Sequence, residues 1–408
     1  MAEEGLNIVF IFPKFKLLSG AERLILKLAS ALSRKGAKIT ILCHHFHPSC
    51  QSELPPQVRL INTRRRLEYF RNRYLNAIFD YLFSFSLLSY LPPDADCYTF
   101  FGPALPLLWY IKKIKRVKKP CFYFCYEPPR FIYRDRKEII SRMGIAGWFL
   151  SPFFSLYRLF DKWFVRSADW VLANSEFGKK EIKRVYGREA TVITHGVDEE
   201  RFKKREDRGK IRERYKLTEK EKIIITTNYL HPRKRIHLLI EAMPHILKAV
   251  PQARALIVGD GPERESLEKL ASKLGVKEKV IFAGFIPDPE LPSYYYAADL
   301  YLHPGKLESF GLSVIEAAYS HLPVVSVAEG GPLYTVRDGE TGFLVSPEPE
   351  AIAEKVISLL KNPELAKTMG EEGHRFIKEN FSWERGAEDF LSALAPFTKK
   401  GREDEKPQ

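Results

Sequence analysis

Apolar and polar positions follow a legible rhythm from the start of the chain. Ile8 to Phe12 is a continuous apolar run ending at Pro13, and Asn7 to Phe12 is short enough for a buried first strand. Leu18 to Gly20 reads as a turn. From Ala21 to Arg34, Leu24, Leu28 and Leu32 recur at the period of one helical face, and Lys35-Gly36 stops the pattern. Lys38 to Cys43 is a second strand. Strand, helix and strand at this spacing make a βαβ unit, the beginning of a parallel sheet. Farther on, Phe122 to Phe124, Val171 to Asn174 and Thr191 to Thr194 read as strands. An aromatic stretch with Trp148, Phe149, Phe153, Phe154, Tyr157, Phe160, Trp163 and Phe164 lies among them.

Residues 199–222 are charged and poor in apolar side chains, and read as a link between domains. The second half then alternates cleanly. Strands at 222–227, 253–258, 280–283, 300–303, 324–327 and 342–345 interleave with helices at 236–249, 264–274, 289–297, 311–320 and 350–360. Phe381-Ser382-Trp383-Glu384 interrupts the helical pattern of 363–379 and starts another helix, and Thr398 to Gln408 is polar and frayed. Two doubly wound α/β domains are expected, at 1–198 and 199–383, with 384–408 packing back on the first.

The 408 residues fit two or three domains. Lys and Arg number 65 against 51 Asp and Glu, a net charge of +14 that suits an anionic partner. Nucleic acid, a nucleotide and an anionic membrane all qualify by charge. The bases join no nucleic-acid recognition module, so nucleic acid is not expected as a partner. Five cysteines, an odd number, argue against a disulfide scaffold and for a reducing compartment, and a cytoplasmic location is expected. His44, His45 and His47 between Cys43 and Cys50 lack a second ligand pair, and read as loop histidines rather than a metal site. No run of 18 apolar residues exists, and Glu3 and Glu4 before the first apolar run do not resemble a leader.

Several chemistries lack their motif: GxGxxG for dinucleotides (Gly259-Asp260-Gly261-Pro262 has Arg264 at the last position), the P-loop, the GxSxG elbow and HExxH. The polar signals sit instead at strand ends, where open α/β sheets bind ligands. Glu308-Ser309-Phe310-Gly311 precedes a helix whose first N–H groups suit a phosphate oxygen. Glu316 lies on that helix among Leu312, Val314, Ile315 and Ala318. A buried carboxylate there must accept hydrogen bonds, from a vicinal diol or from a core arginine. Lys234, between Arg233 and Arg235, reads equally as a diphosphate ligand and as a solvated charge run. Gly330-Gly331-Pro332 and Ser19-Gly20-Ala21-Glu22-Arg23 permit close backbone approach to a ligand, or are tight turns. Tyr126-Glu127-Pro128-Pro129-Arg130 holds a carboxylate and a guanidinium on a rigid segment, for a ligand or for a loop salt bridge.

At these residues the sequence resembles the retaining glycosyltransferases of family GT4. Glu308 to Glu316 is similar to their E-x7-E motif. Gly-Ala-Glu-Arg at 20–23, His195-Gly196-Val197-Asp198, Pro232-Arg233-Lys234, Gly259-Asp260-Gly261-Pro262, Gly330-Gly331-Pro332-Leu333 and Thr341-Gly342-Phe343-Leu344 match in order, with weak coverage from about 55 to 120. The resemblance implies the GT-B fold: two Rossmann-like domains facing across a cleft, with the C-terminal helix returning to the first. It implies transfer of a hexose from a nucleotide-sugar with retention, metal independence and no cofactor. Glu316 would accept from the ribose hydroxyls, Glu308 would contact the donor sugar, and Lys234 would neutralise the leaving β-phosphate. Phe310, Gly311 and Leu312 would offer backbone N–H groups, and Gly20 would keep the diphosphate approach open. Tyr126, Glu127, Arg130, His195, Arg233 and Gly259 complete the implied substrate-binding set.

The pieces look most like mannosyltransferases of lipid-linked oligosaccharide or polysaccharide assembly, which points to GDP-mannose and to a glycan or polyprenyl-linked acceptor. Four positions depart from the family pattern: Tyr229 stands for arginine, Tyr126 for histidine, Ser19 for glycine and Tyr334 for glutamate. A nucleotide-sugar epimerase, a sugar-phosphate synthase and a catalytically impaired binding scaffold on the same fold remain open alternatives. The aromatic stretch at 143–164 with Arg142, Arg158, Lys162 and Arg166, and the basic clusters at 64–73 and 112–119, suit peripheral contact with an anionic membrane on its cytoplasmic face, or else a domain core with a solvated basic surface.

Overall fold

The structure, a computed structural model, describes residues 5–16, 18–64, 80–81, 83–142, 144–203 and 208–398. Arg65, Arg66, Arg71 and Arg73 of the first basic cluster, the side chains of Arg142, Trp148 and Phe149, and the tail from 399 lie outside the described residues. The chain divides into two compact units, one of Met1–His195 with Trp383–Gln408 and one of Gly196–Ser382.

In the first unit seven strands form one parallel sheet: β1 (Asn7–Ile11), β2 (Lys38–Cys43), β3 (Arg59–Asn62), β4 (Cys97–Phe101), β5 (Cys121–Cys125), β6 (Trp170–Ala173) and β7 (Thr191–Val192). Their order is β3-β2-β1-β4-β5-β6-β7. The central strand β1 pairs on both sides, Ile8 opposite Ile39 and Cys97. Helix α1 (Gly20–Arg34) lays Leu24, Ile25, Leu28 and Leu32 into the core of one face. Helices α2 (Leu105–Lys113) and α3 (Gly144–Val165) belong to the other side, where Leu105, Leu108, Ile111 and Val165 are buried with Val9 and Tyr123. Alternate side chains of each strand feed opposite faces, so a sheet covered twice reads as an uninterrupted apolar run.

The C-terminal helix Trp383–Leu394 packs into the first unit. Phe390 is fully buried, its ring 5.8 Å from Phe10 and 6.2 Å from Phe122. Arg34 and Lys35 at the end of α1 pair with Glu384 and Glu388, each at 2.7 Å. The apolar contacts carry this docking, because exposed ion pairs add little.

The second unit repeats the plan with β8 (Lys222–Thr227), β9 (Ala253–Val258), β10 (Val280–Gly284), β11 (Leu300–His303), β12 (Val324–Val327) and β13 (Gly342–Val345), ordered β10-β9-β8-β11-β12-β13, all parallel. Ile224 packs with Ile240 and Met243 on one face, and Ile223 and Ile225 with Tyr294 and Val314 on the other. The expected link at 199–222 is corrected. It contains helix α4 (Glu199–Lys203) and a second short helix, Arg208–Arg214, and Phe202 and Ile211 are buried in the core of the second unit. Single apolar residues among many charges fixed these helices, too few to raise a periodic signal.

Candidate functional site

Both sheets reverse direction beside their first strand. In the second unit the chain goes from β8 outward through β9 and β10, then returns to the other side of β8 as β11. Loops leaving β8 and β11 therefore diverge at their C-terminal ends, the place where such sheets bind ligands.

The loop after β8 carries Lys234 in a short 3-10 turn, Pro232–Lys234. His231 caps it: its Nδ1 accepts from the Arg233 N–H at 3.3 Å and its carbonyl from the Lys234 N–H at 2.7 Å. The turn passes directly into helix α5 (Ile236–Ala249). The Lys234 ammonium forms an ion pair with Glu308 in the loop after β11, both side chains mostly buried. The Lys306 N–H donates to the Arg233 carbonyl at 2.8 Å, and Arg235 pairs with Glu329, after β12, at 3.0 Å. Three loops from three adjacent strands are thus tied together by main chain and charge.

Gly330 and Gly331 close the arrangement. The Gly331 N–H donates to the Glu308 carbonyl at 2.6 Å. A Cβ on Gly330, whose φ is +75°, would lie 2.3 Å from that carbonyl oxygen, and one on Gly331 would lie 2.3 Å from the Phe310 oxygen. The close approach these glycines permit is therefore to the Glu308–Phe310 backbone. Gly259 does likewise: its Cβ would sit 1.9 Å from the Asn228 oxygen, so the glycine lets the loops after β8 and β9 touch.

The electrostatics of the pair are strongly biased. Burial alone would raise the Glu308 carboxyl, but Lys234, His303 and Arg233 outweigh it and bring its pKa down to about 2. His303, at the end of β11, is completely buried, and neither ring nitrogen has a hydrogen-bond partner among the described residues. Burial lowers its pKa to about 4, so the imidazole is neutral at pH 7. Phe310 is buried against Phe381, rings 5.9 Å apart. Gly311 takes a left-handed φ of +89° and starts helix α6 (Leu312–Tyr319). A helix's first N–H groups have no partner in the preceding turn, although here the Val314 N–H donates to the Gly311 carbonyl at 2.9 Å.

Glu316, on α6, is 7% exposed. The Arg201 guanidinium on α4 forms an ion pair with Glu316 through one nitrogen and reaches Asp288 Oδ1 through another at 2.8 Å. The Tyr295 hydroxyl donates to Glu316 Oε2 at 3.2 Å and meets Thr227 Oγ1 at 2.7 Å. The core-arginine alternative is thus realised, and Arg201 and Tyr295 are the functional candidates that the sequence reading missed. Arg201 lay in the segment taken as a link. Its one signal was the apolar Phe202 beside it.

In the first unit Gly20 opens α1, where the Ser19 hydroxyl donates to Glu22. Tyr126 comes to the same place: its hydroxyl donates to the Ala21 carbonyl at 3.2 Å. Burial, with Glu22 nearby, pushes that phenol well above its usual pKa. Glu127 and Arg130 form the loop salt bridge. His195 is elsewhere. It is buried against Trp383, rings 5.7 Å apart, with Nδ1 3.2 Å from the Ile193 carbonyl, and burial lowers its pKa to about 4. Asp94-Ala95-Asp96 is an Asp-x-Asp run, but it precedes β4, and Asp96 accepts from the Asn7 N–H at 2.9 Å. It lies at the edge of the sheet opposite the strands' C-terminal ends. No group of three or more His, Cys, Asp or Glu among the described residues is placed to hold a metal ion.

Two family models cover most of the chain: Glycosyltransferase Family 4 matches residues 18–201, and Glycosyl transferases group 1 matches residues 207–376. The GDP-mannose-dependent alpha-(1-6)-phosphatidylinositol monomannoside mannosyltransferase of Mycolicibacterium smegmatis is 34% identical over 265 residues, 62% of this chain and 68% of that protein. The chain belongs to glycosyltransferase family 4. Further relatives, 30–34% identical, are spanned over only 51–59% of their length. Sucrose-phosphate synthase from Thermosynechococcus elongatus superposes with a TM-score of 0.76 at 22% identity, covering 96% of this chain and 98% of that one. Anabaena HepE in complex with UDP and glucose gives 0.71 at 20%, covering 96% and 99%. At these identities the two structures establish the fold, GT-B. This family 4 member is a glycosyltransferase, an enzyme that moves a sugar from a nucleotide-sugar to an acceptor.

Proposed function

We propose that the chain transfers mannose from GDP-mannose, with retention, to a hydroxyl of a glycan or lipid-linked acceptor. The observation that carries the site is the buried Lys234–Glu308 pair at the reversal of the second sheet. The mannose reading is supported by the mycobacterial relative, which its name describes as GDP-mannose-dependent.

The roles are those the family resemblance implies, and the geometry supports them. Glu316 accepts from the ribose hydroxyls. Lys234 turns from Glu308 toward the β-phosphate and offsets its growing charge as the bond from anomeric carbon to phosphate oxygen breaks. Glu308, held ionised, accepts from donor-sugar hydroxyls and keeps Lys234 aimed. Backbone N–H groups of Phe310, Gly311 and Leu312 receive phosphate or sugar oxygens. The acceptor oxygen bonds the anomeric carbon on the face the diphosphate leaves, and its proton passes to a β-phosphate oxygen. Retention then needs no carboxylate nucleophile, unlike retaining hydrolases. Calorimetry with GDP-mannose, UDP-glucose, UDP-N-acetylglucosamine and UDP-galactose tests the donor. GDP-mannose should bind, and Glu316→Ala should weaken it about tenfold or more. Tight binding of a UDP-sugar without GDP-mannose would sink the mannose assignment.

A lipid-linked acceptor is supported by α3. Phe153, Leu156, Leu159, Phe160 and Trp163 are 43–69% exposed. At about 100° per residue they share one stripe of roughly 120°. Arg158, Lys162 and Arg166 form a neighbouring basic stripe, while Asp161 is buried. Trp109 on α2 packs on Trp163 at 4.6 Å, and exposed Lys113 ends α2, followed by exposed Ile114, Lys115 and Arg116. An apolar ridge beside bases fits an anionic bilayer surface. No helix of the described residues is long and apolar enough to cross one. Flotation with vesicles containing phosphatidylglycerol should carry the chain, and Phe153→Glu with Leu159→Glu should abolish this. Absence of wild-type co-flotation refutes the surface contact.

A further inference from the structure

Glu316 poses a problem that its own helix does not solve. It is 7% exposed on an otherwise apolar turn of α6. A carboxyl group in such surroundings needs partners that replace the hydrogen bonds water supplied. Arg201 is the first of them. Its side chain is 8% exposed, and its fork spans Glu316 and Asp288. Burial alone would disfavour the guanidinium charge, but Glu316 and Asp288 more than offset this, and Arg201 stays firmly protonated. Phe202 packs beneath it, with the guanidinium 4.9 Å from the ring centre. Tyr295, itself engaged with Thr227, fixes the second carboxylate oxygen.

We propose that Arg201 is a positioning residue for nucleotide recognition: it holds Glu316 in one rotamer so that the carboxylate accepts from both hydroxyls of the donor ribose. This rests on the assignment of Glu316 to the ribose given above. Each carboxylate oxygen has two acceptor sites, so a contact to Arg201 or Tyr295 does not use up the oxygen it touches. Without the guanidinium, nothing on that side fixes the first carboxylate oxygen, and the pair of oxygens is no longer aimed together at the two hydroxyls of a diol. Lysine in its place brings charge without the planar fork and cannot bridge Glu316 and Asp288 in the same geometry.

The readout is the ratio of affinities for a nucleoside diphosphate and its 2′,3′-dideoxy form, taken by calorimetry with GDP and with UDP. A general loss of structure weakens both members of a pair and leaves the ratio alone. Wild type should prefer the ribose form about tenfold or more. Glu316→Gln and Arg201→Met should bring the ratio near one, and Arg201→Lys should lose at least half of it on a logarithmic scale. Thermal melting reports whether each variant is folded. Should Arg201→Met not fold, Arg201→Lys decides, and a wild-type ratio in that variant overturns the proposal. A ratio lost in Glu316→Gln but kept in a folded Arg201→Met also overturns it while leaving the ribose reading intact. A ratio kept in Glu316→Gln, or no binding of GDP or UDP by the wild-type chain, removes the ribose reading and the role of Arg201 with it.

Discussion

Replacing Lys234 by methionine separates the two duties of the buried ion pair. The Glu308 carboxyl is held at about 2 against an ordinary 4.5, chiefly because Lys234 offsets a burial that would raise it. At about 1.36 kcal/mol per tenfold shift, that difference is about 3 kcal/mol at neutral pH. The sign is that of a depressed carboxyl. In the wild type this stability is present above pH 4.5 and is lost as the pH falls from 4.5 toward 2. Methionine leaves the buried carboxylate with only His303 and Arg233 against its burial, and burial then dominates. The second unit should lose about 3 kcal/mol at pH 7, the cost typical of a buried pair stripped of one partner. For a domain of this size that is about 6 to 12 °C in Tm. Its folded form now binds a proton more readily than its unfolded form. The loss should therefore shrink as the pH falls from 7 toward 5, where the wild type shows no such gain. Thermal melts of wild type, Lys234→Met and the double variant Lys234→Met/Glu308→Leu, at half-unit steps from pH 5 to 8, measure this. The double variant should recover most of the stability and none of the transfer activity. A Lys234→Met melt within 1 °C of wild type at every pH would refute the reasoning.

Other outcomes follow from the same geometry. Gly330→Ala should cost several kcal/mol in a urea melt and weaken donor binding, because its Cβ would strike the Glu308 carbonyl at 2.3 Å in a left-handed backbone conformation. His303 and His195 are each lowered to about 4 by burial, so each unit should lose up to about 3 kcal/mol as the pH falls from 6.5 to 4. His303→Leu should remove this acid sensitivity from the second unit only, as read by hydrogen exchange of its strands. Phe390→Ala should cost about 3 to 5 kcal/mol and be felt in β1 and β5, since that ring fills the core between Phe10 and Phe122.

Long periodic stretches were legible without coordinates. Helix α5 runs over the residues its apolar spacing marks, and the strands of the second unit fall within a residue of their apolar runs. The loops were readable as a set of matched pieces, because the polar residues at strand ends have few structural reasons to be there. What stayed hidden was pairing across distance. Nothing in the spacing joins Arg201 to Glu316, 115 positions apart, or Tyr295 to either. Gly330 and Gly331 were legible as close-approach glycines, but only the fold tells that Glu308 and Phe310 are what approaches. Short helices between charges, such as Glu199–Lys203, owe their existence to tertiary burial of one residue, Phe202, which no window of local propensity registers.

The return of Trp383–Leu394 to the first unit bears on how the polypeptide is made. Synthesis proceeds from the N-terminus at about 5 to 20 residues per second. The N-terminal part of the first unit, Met1–His195, leaves the ribosome early, yet Phe390 and Leu394 belong to its core. The intervening 187 residues, Gly196–Ser382, take roughly 10 to 40 s to emerge. For that interval Phe10 and Phe122 lack the ring that covers them, while the second unit has all of its own strands before the last helix appears. The nascent first unit therefore exposes that apolar face to solvent throughout the interval. A stop codon placed just before Trp383 should yield a truncated product whose second unit resists protease and whose first unit does not.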